Sequence, residues 1–218
     1  MKKSRGTEDK RTPSHDPSRR RFLKGVGIAG AGAAVADKLW IDVEPTESGP
    51  QAKGSRPLSG AVPVVLDING QKKTVQIEPR TTLLNALRNH VEPPVTGPKL
   101  VCDMGTCGAC TIVLDGKPVY SCLVLAVDAV GKPITTVEGL GAPEKLNAVQ
   151  SAFVEHDALM CGFCTPGFVT MISAYLKKNP SPTISEVREA CKGNFCRCGT
   201  YPRVFEAALA AAKSGRNS

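Results

Sequence analysis

From Val62 to Ile77, apolar and polar residues alternate on either side of Asn69-Gly70. A period of two with Asn-Gly between the runs predicts a β-hairpin. At Thr81-Thr82 the period lengthens. Leu83, Leu84, Leu87 and Val91 recur at helical spacing behind a hydroxyl that can cap the first turn. A second strand–turn–strand pattern follows in Thr111–Leu114, Asp115-Gly116 and Lys117–Ser121. Beyond Pro143, which suits a first helical position, apolar residues keep to helical spacing. Leu146, Val149 and Phe153 make one stripe; Phe168, Met171, Ile172, Tyr175 and Leu176 make a second. Thr183 with Glu186 reads as a capping box that opens a third helix with Ile184, Val187 and Cys191 on one face. A fourth starts near Pro202 and carries Val204, Phe205, Ala208, Leu209 and Ala212. The fold class expected is α+β: a β-rich domain over residues 61–140, a four-helix domain over 141–213, and a tail over 214–218.

Residues 1–36 have the layout of an export leader. A polar stretch runs into Ser18-Arg19-Arg20-Arg21-Phe22-Leu23-Lys24, then a weakly apolar Gly/Ala segment from Gly25 to Ala36 with a small-residue cleavage pattern at Ala34-Val35-Ala36. The competing reading is a short amphipathic helix with a basic entry. The run Ser-Arg-Arg-x-Phe-Leu-Lys resembles a twin-arginine signal, a receptor-read address rather than an anchor. It implies export of an already folded, cofactor-loaded protein to the periplasm. No apolar run approaches the length of a membrane span. Residues 37–60, rich in Pro, Gly, Ser, Glu and Lys from position 42 onward, read as a flexible linker.

The net charge of +8 suggests nucleic acid at first sight. Residues 1–36, however, carry nine Lys/Arg against three Asp/Glu, so most of the excess belongs to the leader. With only 5% aromatic residues as well, base stacking is not expected. The nine cysteines change the picture more. Cys102, Cys107 and Cys110 are spaced Cys-x4-Cys-x2-Cys. Gly105, Thr106, Gly108 and Ala109 between them are small enough to let backbone amides approach an inorganic cluster. The hairpin after Cys110 returns the chain to Cys122. Four thiolates can therefore converge in the pattern of plant-type [2Fe–2S] ferredoxins. Zinc and disulfides are the alternatives. A Rieske centre is discarded, because His15, His90 and His156 form no Cys-x-His pair. Cys161-x2-Cys164 lies between the first two helices and Cys196-x-Cys198 between the last two. In an antiparallel bundle those connections share an end, which makes a second four-thiolate site. Spacing alone leaves iron–sulfur and zinc both open there. Cys191, on the Ile184/Val187 stripe, reads as a buried core thiol.

Both sets together resemble the small iron–sulfur subunit of the xanthine oxidase family of molybdenum hydroxylases, most closely its periplasmic aldehyde oxidoreductase type. The resemblance rests on Cys102-Asp-Met-Gly-Thr-Cys-Gly-Ala-Cys110, Asp115-Gly116, Cys122, Glu138-Gly139-Leu140, Cys161-Gly-Phe-Cys-Thr-Pro-Gly167 and Gly193-Asn-Phe-Cys-Arg-Cys-Gly199. It implies a β-grasp plant-type ferredoxin domain followed by a four-helix-bundle [2Fe–2S] domain. Cys102, Cys107, Cys110 and Cys122 would hold one cluster, and Cys161, Cys164, Cys196 and Cys198 the other. It implies a large molybdopterin-binding subunit near the helical-domain cluster, and an FAD-binding subunit or a cytochrome nearer the ferredoxin-type cluster. Hydroxylation of an aldehyde or N-heterocycle would occur in the partner, with no catalytic residue in this chain. Where the family commonly has Gln before the Cys-Gly-Phe-Cys motif, this chain has Met160, a thioether that cannot donate a hydrogen bond to the pterin. The alternative function is a free-standing ferredoxin-like electron carrier, against which the helical domain argues.

Overall fold

The computed structural model describes residues 59–215; the expected leader and nearly all of the expected linker lie outside them. Strands β1 (Val62–Ile68) and β2 (Gln71–Ile77) pair antiparallel, from Val62 opposite Ile77 to Ile68 opposite Gln71. The turn residues Asn69 and Gly70 have φ of 51° and 79°, the left-handed pair that a two-residue hairpin turn requires. Alternation puts Val64, Leu66, Ile68, Val75 and Ile77 in the core. The second hairpin joins β3 (Thr111–Leu114) to β4 (Lys117–Tyr120) through Asp115-Gly116, with φ of 49° and 72°. A short β5 (Pro133–Thr135) lies between the hairpins, parallel to β1 and antiparallel to β3. The sheet order is β2-β1-β5-β3-β4.

Across this sheet lies α1 (Leu83–Asn85), continued by a π-helical segment over Ala86–His90. Thr82 caps it, its hydroxyl accepting from the Asn85 amide. Leu83 and Leu87 pack into the sheet core. Leu84 points elsewhere, against Cys110, Cys122 and Tyr120. One helix thus ties the core to the first thiol set.

The remainder forms α2 (Ala148–Glu155), α3 (Thr165–Lys178), α4 (Ile184–Ala190) and α5 (Tyr201–Ser214). The first of these opens at Asn147 rather than near Pro143. Asn147 and Gln150 form a reciprocal capping box, whereas residues 142–145 are closed into a turn by two backbone hydrogen bonds between Ala142 and Lys145. Thr183 and Glu186 form the capping box expected of α4. Its first apolar residue, Ile184, is exposed, so the buried stripe begins at Val187 and ends at Cys191. Phe168, Ile172, Val187 and Val204 fill the helical core against Ala152, Ala207, Ala208 and Ala211. Small residues on α2 and α5 let these helices approach closely. The α4–α5 connection carries Cys196 and Cys198, and the α2–α3 connection carries Cys161 and Cys164. No helix among the described residues is long and apolar enough to cross a membrane.

Candidate metal centres

The first thiol set is built by a loop and a hairpin. Between Cys102 and Cys110 the backbone turns left-handed at Asp103, Gly105 and Gly108. A Cβ on Gly105 would collide with Leu123, and one on Gly108 would stand 2.5 Å from the Gly193 carbonyl oxygen. With the chain coiled this way, the amides of Met104 and Thr106 reach the Cys102 sulfur, Ala109 reaches Cys107, and Gly105 reaches Cys122. The carbonyls of Cys107, Gly108, Ala109 and Cys110 are occupied elsewhere. Cys107 accepts from the Phe195 amide at 2.9 Å, and Ala109 from Lys99 at 3.0 Å. Gly108 accepts from the Thr111 amide and hydroxyl, and Cys110 from the Ser121 amide and hydroxyl. Pinning these carbonyls elsewhere leaves the donors for the sulfurs.

The second set lies where the two helix connections meet. Gly162 and Gly199 take φ of 78° and 81°. The Phe163 amide bonds the Cys161 sulfur, and the Cys161 amide bonds the Cys198 sulfur. Cys196 is buried and has the Thr200 hydroxyl 3.7 Å away, with the Thr200 amide alongside. Its own amide donates to the Tyr201 hydroxyl at 2.8 Å. Tyr201 is held edge-on against Phe168, 6.0 Å between ring centres. Cys161 and Cys198 are exposed.

The thiols meet in pairs. Cys110 and Cys122 stand 3.5 Å apart; Cys102 contacts Cys107, Cys161 contacts Cys198, and Cys164 contacts Cys196. Among the described residues no three His, Cys, Asp or Glu side chains converge as a single ion requires. Zinc would draw four donors to one point at about 2.3 Å. A two-iron cluster takes two thiolates at each end, and two side-by-side pairs per set fit that demand. All nine cysteines are free thiols. Burial pushes Cys102 upward, but Thr106 and the loop amides outweigh it and hold the thiol at about 6. Burial is likewise outweighed at Cys196 by the Thr200 amide and hydroxyl, leaving about 7. Burial first, then a shared proton with the pair partner, pushes Cys122 and Cys164 up to about 12. The donors that acidify Cys102 and Cys196 favour the thiolate that a metal takes.

Known proteins share this arrangement. Residues 66–133 match the family described as 2Fe-2S iron-sulfur cluster binding domain, and residues 136–209 the [2Fe-2S] binding domain family. The iron-sulfur-binding subunit of an aldehyde oxidoreductase from Escherichia coli O157:H7 is 37% identical over 92% of this chain and 92% of its own. The chain belongs to the iron–sulfur small subunits of the molybdenum hydroxylases. The nicotine 6-hydroxylase small subunit of Paenarthrobacter nicotinovorans is 47% identical over 69% of this chain and 90% of its own. In the crystal structure of quinoline 2-oxidoreductase from Pseudomonas putida 86, a chain 44% identical superposes with a TM-score of 0.68, covering 73% of this chain and 99% of that one.

As a member of this family, the small subunit carries two [2Fe–2S] clusters and serves electron transfer in an oxidoreductase. The structure brings all eight expected cysteines into two groups of four and places Cys191 apart, in the helical core. Sequence spacing passed over Thr200, Tyr201 and Asn194. Each lies within a few residues of Cys196 or Cys198, and that proximity was the available signal. Around the small subunit's two sets lie exposed apolar residues: Leu100, Val101, Met104 and Leu123 by the first, Leu159, Met160, Phe163 and Phe195 by the second.

Proposed function

We propose that Cys102, Cys107, Cys110 and Cys122 ligate one [2Fe–2S] cluster and Cys161, Cys164, Cys196 and Cys198 the other. In this reading the chain relays electrons from a large molybdopterin-binding subunit to an FAD-binding subunit or a cytochrome. The observation that carries it is the pairing of thiols, two pairs to a set, on loops whose amides point at sulfur. Bound there, the clusters supply one-electron oxidation and reduction. The chain's own residues bind and shield. Leu84 and Tyr120 cover Cys110 and Cys122, while the Gly-rich loop supplies amide donors.

The second set is the end we assign to the molybdopterin subunit. Its Cys161 and Cys198 are exposed, and Met160, Phe163 and Phe195 beside them are each more than half exposed. Apolar side chains around surface thiols suit a covered interface. Met160 offers no hydrogen bond, so polar contact with the pterin falls to backbone groups near Cys161 and Cys198. The first set, with its own exposed apolar rim, is assigned the exit. Relatives named for aldehyde, nicotine and quinoline oxidation support an aldehyde or an N-heterocycle as the partner's substrate. The Ser18–Lys24 run supports export by the twin-arginine route and a periplasmic location.

Metal and acid-labile sulfide analysis of the purified chain tests the ligand assignment. About four iron and about four sulfide per chain are expected, from two [2Fe–2S] clusters. Zinc at the second set, with sulfide for one cluster only, would overturn half of it.

A further inference from the structure

We propose that Asn194 is a positioning residue: it holds the two thiol loops at one fixed separation and thereby sets the coupling between the clusters they bind. This rests on the ligand assignment above. Asn194 lies between α4 and Cys196 and is 4% exposed. Its Nδ2 donates to the Gly108 carbonyl at 3.0 Å and to the Thr111 hydroxyl at 3.3 Å. The next amide, Phe195, donates to the Cys107 carbonyl at 2.9 Å. Side chain and following amide therefore grip two successive carbonyls of the first loop. One belongs to a ligand cysteine, and the grip comes from the residues just ahead of Cys196. The Asn194 amide itself is tied to the Cys191 carbonyl at 2.8 Å, so the grip is anchored on the helical domain.

Three glycines leave room for nothing else at this junction. A Cβ on Gly108 would stand 2.5 Å from the Gly193 oxygen, and one on Gly167 would stand 2.5 Å from the Gly108 oxygen. One on Gly193 would overlap the Tyr120 hydroxyl. Backbone therefore meets backbone between the first loop, the start of α3 and the turn before Cys196. Among the described residues, Asn194 is the one side chain that hydrogen-bonds across it from the helical domain. Its Oδ1 is buried with no partner. An unpaired buried oxygen is costly, and an apolar residue of similar size would avoid the cost. What it could not supply is the Nδ2 donor. Coupling between two paramagnetic centres falls steeply with their separation, so a loop freed at this point loses the geometry on which the coupling depends.

The test uses the full chain carrying its clusters, chemically reduced, in wild-type form and as Asn194→Ala and Thr111→Val. Iron content is measured alongside low-temperature electron paramagnetic resonance. The wild type should show two reduced-state signals split by their mutual interaction. Asn194→Ala should keep its iron and both signals while the splitting collapses. Thr111→Val, near-isosteric, should weaken the splitting less. Both signals with unchanged splitting in Asn194→Ala overturn the inference, as do two unsplit signals in the wild type. If Asn194→Ala loses iron, Thr111→Val decides by the same criterion. Loss of iron in both variants assigns Asn194 to folding alone and overturns it. Fewer than two signals in the wild type would defeat the ligand assignment instead.

Discussion

The Thr200 hydroxyl and amide both face the Cys196 sulfur. Hydrogen bonds to ligand sulfur stabilise the more negative, reduced state of an iron–sulfur centre. Removing the hydroxyl in Thr200→Val should therefore lower the potential of the second cluster. The shift expected is on the order of tens of millivolts, the one-electron equivalent of a hydrogen bond's net worth. The first cluster should keep its potential, since Thr200 contacts none of its four cysteines. A redox titration that resolves the two reduced-state signals checks this. A shift of both together would point to a change of fold instead. Thr106, on the Cys102 sulfur, does the equivalent work in the first loop.

Among the elements, α4 depends heavily on its first turn, because it has seven residues and one buried side chain, Val187. The Thr183 hydroxyl accepts from the Glu186 amide, and the Glu186 carboxylate accepts from the Thr183 amide and hydroxyl. Thr183→Ala should cost about 1 kcal/mol, read as faster amide hydrogen exchange along α4. The Thr183 amide and hydroxyl hold the Glu186 carboxyl below the usual carboxylate range. A depressed folded-state value means that its contribution is complete above the ordinary carboxylate range. It is lost as pH falls through the folded-state value. Protection of α4 should accordingly fall on acidification in the wild type and fall less in Glu186→Gln. This capping box was legible because Thr and Glu three apart precede an apolar run. Asn147 and Gln150 use the same chemistry and were passed over, because Pro143 and Leu146 offered an earlier start. The approach of Cys110 to Cys122 could be read from the length of the hairpin between them. Asn194 and Gly108 are 86 residues apart, and no local period encodes such a meeting.

On the scale of the whole molecule, the thiol sets are joined by a backbone bond from Phe195 to Cys107 and edged by exposed apolar residues. Under the export proposed above, a protein assembled this way would take up its metal before leaving the compartment that makes iron–sulfur clusters, which suits a route that exports folded cargo. Replacing Arg19 and Arg20 together by Lys should leave the protein in the cytoplasm with its iron bound. Cell fractionation followed by immunoblotting reads this out, and an unchanged periplasmic yield would remove the export proposal. The sheet adds a constraint of timing. The β1–β2 and β3–β4 ribbons do not touch each other in it; they are stitched together only by Pro133–Thr135, the last strand to be synthesised. A ribosome that has translated all four cysteines of the first set has still not made the piece that closes the scaffold under them. That closing strand carries no sulfur, so the four thiols are made before the sheet that supports them can be completed.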